Sequence, residues 1–432
     1  MSRFCKVLIW FILTKWQLSK IRACKPDPSP PGPPPPQQEK LSACSIGKSF
    51  KDYLNKTDSG SQIETTYTQQ HTVIVEVLVA VDLALISKIH KFNNFTWSNI
   101  RQSGYQATDD LIAETTLYVR KFMSALDIKF QNHFTDPRIR FSITDVFFNS
   151  REFIVRTKNK FDMMKTYNKM KTVFGEKILS YKKGISSDVV LLLTGEESFK
   201  DFPELDEKYG ITEVGRACDE EFHEYFGKRN NEQDKIKKLH HANIIVQDLG
   251  QFSGVKTATH QFGHLLGSYS DGEQSSINCC SSEGFIMSKN IYDQKNIEQF
   301  KNKRNAYKWS TCSKDAISAF VRRAPCLFNT PKEDPHPLFN WQELTENLHV
   351  PDPSHQCSIF DQETLKMEEG QSCGNDACQF LQCKTNKGSG SLVQVPGSDC
   401  MVRERQNAME GSLCKNNKNC FQGNCINGEE SI

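Results

Sequence analysis

The chain has no long apolar run. Of its 432 residues, the stretch Val7–Leu13 is too short to cross a bilayer, and no other segment is apolar enough for a membrane-spanning helix. Nor is charge of one sign in excess. Lys and Arg number 54 against 52 Asp and Glu, a net charge of +2, with no long basic or acidic tail. This removes the electrostatic basis for general binding to nucleic acid. Cysteine, by contrast, is plentiful: 16 in all, eight of them between Cys357 and Cys425, which points to an oxidising compartment. Two sequons, at Asn55 and Asn94, fit glycosylation in that compartment.

The length allows two or three domains. Residues 1–23 combine a basic start with the short apolar run, as a secretory signal does, with small Ala23 before the cleavage point. The alternative is an N-terminal surface helix. Residues 24–70 include the proline-dominated run Pro26–Gln38, expected to be extended polyproline II without a core. At the other end, the Pro-containing stretch 331–356 reads as a linker. Residues 357–432 form a cysteine-dense module too small to bury much core, and so dependent on bridges.

Between these, hydrophobic patterning predicts an α/β fold with a mixed, mostly parallel sheet. Val73–Val81 and Ile139–Phe148 read as strands, Val189–Thr194 as a fully buried one and Asn243–Asp248 as another. A helix near Ala107–Leu126 separates the first two, as a parallel crossover requires. The segment Gly227–His241, rich in Lys, Asn and Glu, reads as a surface insertion, with His240 and His241 as solvated loop residues.

The chemistry concentrates in Thr259–Gly272. Ser253 is the expected N-cap and Gly267 the expected terminating glycine of a helix over 254–266. Val255, Ala258, Phe262, Leu265 and Leu266 then share one face, and His260 and His264, one turn apart, project from roughly the opposite one. Imidazoles at i and i+4, followed by glycine three residues later, match the zinc-protease pattern H-E-x-x-H-x-x-G-x-x-H. Two positions of that pattern are changed. Gln261 stands in the place of the glutamate and Ser270 in that of the third histidine.

With these motifs, and with Val75–Asp82, Asp188–Gly195, Gly215–Cys218 and Phe285–Ser288, the chain over residues 71–330 resembles the reprolysin or adamalysin family of metzincin proteases. The resemblance extends to the secreted salivary metalloproteases of ticks and to the ADAM-TS group. It implies a metzincin fold, with Met287 at the family's Met-turn and an antiparallel last strand at the lip of the substrate cleft. It also implies disulfides joining Cys218 to Cys326 and Cys279 or Cys280 to Cys312, which leaves one cysteine free or bridged to another module or chain. A structural calcium site over Glu76, Glu197 and Asn329 is a further implication. Family members carry a prodomain where this chain has only residues 24–70. Cys44 either mimics a blocking thiolate or pairs with Cys24, and the shortness reflects either a missing prodomain or an incomplete gene model. The run Ala408–Cys414, continuing through Cys420 to Cys425, resembles the end of the ADAM-TS cysteine-rich region.

What the two substitutions do follows from zinc chemistry. A catalytic zinc has three protein ligands and a water, whose proton the glutamate takes. A serine hydroxyl is a poor zinc ligand, so weak or lost zinc is expected, and Asp271 lies one residue out of register to replace it. Glutamine has no titratable group and cannot serve as a base worth about 10²–10⁴ in rate. The expectation is therefore a secreted, inactive protease homologue, monomeric and without a membrane span, that binds an extracellular or host protein. The alternative is a weakly active zinc endopeptidase holding its metal with His260, His264 and a water or Asp271.

Overall fold

The computed structural model describes residues 72–91, 109–148, 152–180, 187–197, 209–225, 235–288, 305–328 and 336–346, with short stretches from 350 to 427. The expected signal (1–23), the proline-rich segment with Cys24 and Cys44, both sequon asparagines Asn55 and Asn94, and Asn329 lie outside these residues.

In chain order the elements are β1 (Thr72–Val81), α1 (Leu83–Lys91), α2 (Asp109–Gln131), β2 (Arg138–Phe147), the short pair β3 (Arg156–Thr157) and β4 (Lys160–Phe161), and α3 (Met163–Ser180). They continue with β5 (Val189–Thr194), β6 (Gly210–Ile211), β7 (Glu220–Tyr225), β8 (Lys235–His240), β9 (Asn243–Gln247), α4 (Val255–Leu265), α5 (Thr311–Val321) and α6 (Trp341–Glu346). The strands β10 (Gln382–Lys384), β11 (Leu392–Gln394), β12 (Cys400–Arg403), β13 (Asn419–Phe421) and β14 (Asn424–Ile426) close the chain.

The main sheet has the order β2-β1-β5-β9-β6. β1 pairs in parallel with β2 and β5, and β5 with β9. Its central strands are apolar at most positions and buried along nearly their whole length because both faces are covered, and the two-residue side-chain period divides them cleanly. Val77, Val79, Val189, Leu191 and Leu193 join the core beneath α2 and α4. Leu78, Ala80, Val190 and Leu192 join a second core with Met170 and Phe174 of α3. The result is an α/β sandwich with the mostly parallel sheet expected from the sequence.

Two expectations are corrected here. The antiparallel strand at the sheet edge is β6, not the strand from Asn243: β9 runs parallel to β5, and β6 pairs with it in reverse through Gly210↔Val246 and Ile211↔Ile245. A strand of two residues carries too little periodicity to be read from sequence. The second correction concerns the segment before β9, which is not a plain loop. Its second half, β8, forms an antiparallel ribbon with β7, and His240 is buried, at 1% exposure, rather than solvated.

Residues 336–346 also depart from a free linker. Asn340 and Glu343 form a capping box, each backbone N–H donating to the other's side chain at 2.9 Å. The short helix α6 that follows buries Trp341 and Leu344 beside Ile128 of α2. The C-terminal stretch docks on the same region. Met409 joins the main core, Lys129 Nζ meets Glu410 Oε1 at 2.7 Å, Tyr307 Oη donates to the Cys378 carbonyl, and Phe421 packs edge-on to Trp341. Disulfides Cys378–Cys420 and Cys414–Cys425 hold this part together. Cys378, Cys414 and Cys425 converge in space, but all three are consumed in bridges, which leaves no thiolate for a metal.

Candidate functional site

Helix α4 carries the site. Its N-cap is Gly254 rather than Ser253, because the Ser253 hydroxyl is engaged behind the helix: it donates to Asp248 Oδ1 and accepts from the Leu249 N–H. Gly263 faces the Met-turn. A Cβ there would lie 2.5 Å from Met287 Sδ and 2.8 Å from Trp309 Cζ3, so only glycine permits this closeness of helix and turn. After Leu265 the chain reverses at Gly267, whose φ of +98° and contact with Phe320 again require glycine.

The two histidines are oriented by backbone carbonyls. His260 Nδ1 lies 2.8 Å from the Ile286 carbonyl and His264 Nδ1 2.8 Å from that of Ser268. A carbonyl only accepts, so Nδ1 carries the proton in each ring and the Nε2 lone pair is directed elsewhere, the tautomer a metal ligand needs. The rings meet edge to face with centroids 4.6 Å apart. Both imidazoles therefore fit a zinc ion.

The remaining positions do not. Ser270, buried at 3% exposure, offers only a hydroxyl. Asp271 is also buried, and its carboxylate faces away to structural partners: Oδ1 accepts from Ser310 Oγ at 2.6 Å and Ser313 Oγ at 3.3 Å, and Oδ2 from Ser288 Oγ at 3.4 Å. Burial pushes its pKa up to about 6 against these hydrogen bonds. Its backbone N–H donates to the Met287 carbonyl. Asp271 thus ties the Met-turn to the N-cap of α5, which argues against it as the substitute ligand. Gln261, 3% exposed, donates through Nε2 to the Gly210 carbonyl of β6 at 3.3 Å. Two imidazoles supply two of the three protein ligands that a catalytic zinc takes.

Of the residues proposed for calcium, the two that are described, Glu76 and Glu197, do not come together. The register Val77↔Val189 places Glu76, midway along β1, beside Asp188, which immediately precedes β5, and the Glu76 N–H donates to Asp188 Oδ2 at 2.9 Å. Glu197 follows the far end of β5 and is exposed. Six intervening strand residues, at about 3.3 Å each, separate it from Glu76. Burial raises the Glu76 carboxyl, and it raises Asp188 to about 7, with the Glu76 charge adding to the latter. Asp188 was not singled out from the sequence. Its signal was an acidic residue immediately before a fully apolar strand, where register alone decides its neighbour.

The bridges are Cys218–Cys326 and Cys279–Cys312. Cys280 is disulfide-bonded as well, so the adjacent pair leaves no free thiol.

No family model matches the chain. It is 29% identical over 235 residues to a protein of Bombyx mori named "A disintegrin and metalloproteinase with thrombospondin motifs like", covering 52% of this chain and 27% of that one. It is 29% identical over 174 residues to "A disintegrin and metalloproteinase with thrombospondin motifs 5" of Bos taurus, covering 39% of this chain and 72% of that one. Over 87 residues it is 36% identical to "Venom metalloproteinase 3" of Eulophus pennicornis, covering 20% and 19% of the two chains. The chain thus aligns with about a quarter of the Bombyx mori relative's length and about a fifth of the venom protein's. These likenesses relate it to the reprolysin/ADAM metalloproteases, and its mostly parallel α/β sheet and disulfide-rich C-terminal part are consistent with the metzincin fold.

Proposed function

We propose that the chain is a secreted reprolysin-like homologue that has lost proteolysis and acts by binding an extracellular or host protein. The observation that carries this reading is Gln261. The residue at the general-base position cannot take a proton, and its amide is committed to the Gly210 carbonyl. Ser270 in the third-ligand position supports the same reading, since a neutral hydroxyl holds zinc weakly. Residues 1–23 act as the leader, and the cysteine-rich module from 357 supplies binding surface in addition to the old cleft. Zinc, where present, is held by His260 and His264 alone. Calcium is held by Glu76 with Asp188, a hard-oxygen pair suited to it.

The test is hydrolysis of a denatured protein substrate by the secreted chain, with and without a zinc chelator, beside the double variant Gln261→Glu plus Ser270→His. The expected result is no cleavage by the native chain and less than one zinc per chain by elemental analysis. Chelator-sensitive cleavage by the native chain sinks the proposal. The weak endopeptidase reading keeps one supporting feature, the tautomers imposed on both histidines by the Ile286 and Ser268 carbonyls, and predicts one tightly held zinc.

A further inference from the structure

The lip strand β6 lies against helix α4 at unusually short range. A Cβ on Gly210 would fall 2.8 Å from Thr257 Cγ2, 3.0 Å from the Ile245 carbonyl and 3.1 Å from Gln261 Cγ. Thr257 and Gln261 are one turn apart, so both stand on the helix stripe facing the strand. Gln261 Nε2 then donates to the Gly210 carbonyl. Beyond the strand the chain is stitched to the end of the same helix twice more: the Gly215 N–H donates to the His264 carbonyl at 2.9 Å, and the Ala217 N–H to that of Leu265 at 3.3 Å. On the sheet side β6 has only two register pairs, supplemented by Thr212 Oγ1 donating to the Asn243 carbonyl at 2.7 Å.

We infer that Gln261 is a positioning residue that clasps the cleft's lip strand to the helix. Donor chemistry decides the point. A primary amide has two N–H groups to give, whereas a carboxylate has none. An ionised glutamate against the Gly210 carbonyl would oppose two acceptors in a place almost closed to water, a costly arrangement. One side chain therefore either clasps the strand or serves as a base, and the glutamine does the first. This rests on the reading that position 261 is no longer catalytic, and it gives the substitution a role of its own. Because so few ladder bonds hold β6, the clasp is a substantial part of what keeps the lip in place.

The experiment is amide hydrogen exchange at neutral pH on the full secreted chain, with chelator present, for the native protein, Gln261→Met and Gln261→Glu. Methionine matches the length without a donor, and glutamate matches the shape without a donor. Both variants are expected to exchange roughly tenfold faster over residues 209–217, the effect of losing about one hydrogen bond, with β1 and β5 unchanged. An unchanged lip in either variant overturns the clasp, since packing alone would tolerate the glutamate isostere. If one variant does not fold, the other decides by the same criterion. The readout is independent of proteolysis, so cleavage by the native chain would reject the loss of activity while exchange still reported on the clasp.

Discussion

Glu76, midway along β1, stands beside Asp188, the residue immediately before the parallel strand β5, and the Glu76 backbone N–H donates to the Asp188 carboxylate at 2.9 Å. Both carboxyls are raised by burial. Two buried acids this close resist ionising together unless a cation joins them.

Millimolar calcium should therefore raise the melting temperature of the native chain at pH 7.5. Asp188→Asn should abolish the increment, whereas Glu197→Gln should leave it intact. Scanning calorimetry with and without calcium checks this, and an equal response in native and Asp188→Asn proteins would dismiss the site.

His133 supplies an acid-side prediction. Its Nε2 donates to the Tyr307 carbonyl at 3.1 Å, and burial, with Lys314, Lys129 and Lys308 nearby, lowers its pKa to about 4. The folded state thus holds the ring neutral where the unfolded chain protonates it. The contribution is complete above about pH 6.5 and is lost as pH falls through about 4. Allowing for partial exposure, it amounts to on the order of 1–2 kcal/mol. Urea unfolding at pH 7 and pH 4.5 should show His133→Gln losing less stability on acidification than the native chain.

The Lys129–Glu410 pair joins the C-terminal part to α2 with both side chains largely buried, at 12% and 3% exposure. Glu410 also accepts from the Gln422 N–H at 2.8 Å. Glu410→Ala leaves a buried ammonium without its partner and should cost about 3 kcal/mol. Lys129→Met with Glu410→Leu should recover much of that loss. Chemical denaturation of the three proteins measures it, and a single variant as stable as the native chain would show that the module is only loosely seated.

Gly263→Ala should destabilise the fold by about 1–3 kcal/mol through overpacking against Met287 and Trp309. Thermal unfolding reads this directly. A neutral effect would mean that the Met-turn moves aside freely, contrary to its anchoring through Asp271 and Ser310.

Local patterns were legible in the chain itself. The run Val189–Thr194, five aliphatic residues and a threonine, reads as a covered strand, and the histidine pair with the following glycine defines its helix and turn, because period and capping chemistry act over a few residues. Position 261 as a site without a base is likewise a statement about side-chain type and needs no coordinates. Folding decided what lies across the gaps. Strand register put Asp188, and not Glu197, beside Glu76. Packing against Ser310, Ser313 and Ser288 turned Asp271 away from the site. A two-residue strand, invisible to periodicity, received the Gln261 amide. These are contacts between residues 17 to 112 positions apart. Nothing in local propensity determines them, since they depend on which buried surfaces meet once the sheet and helices have closed.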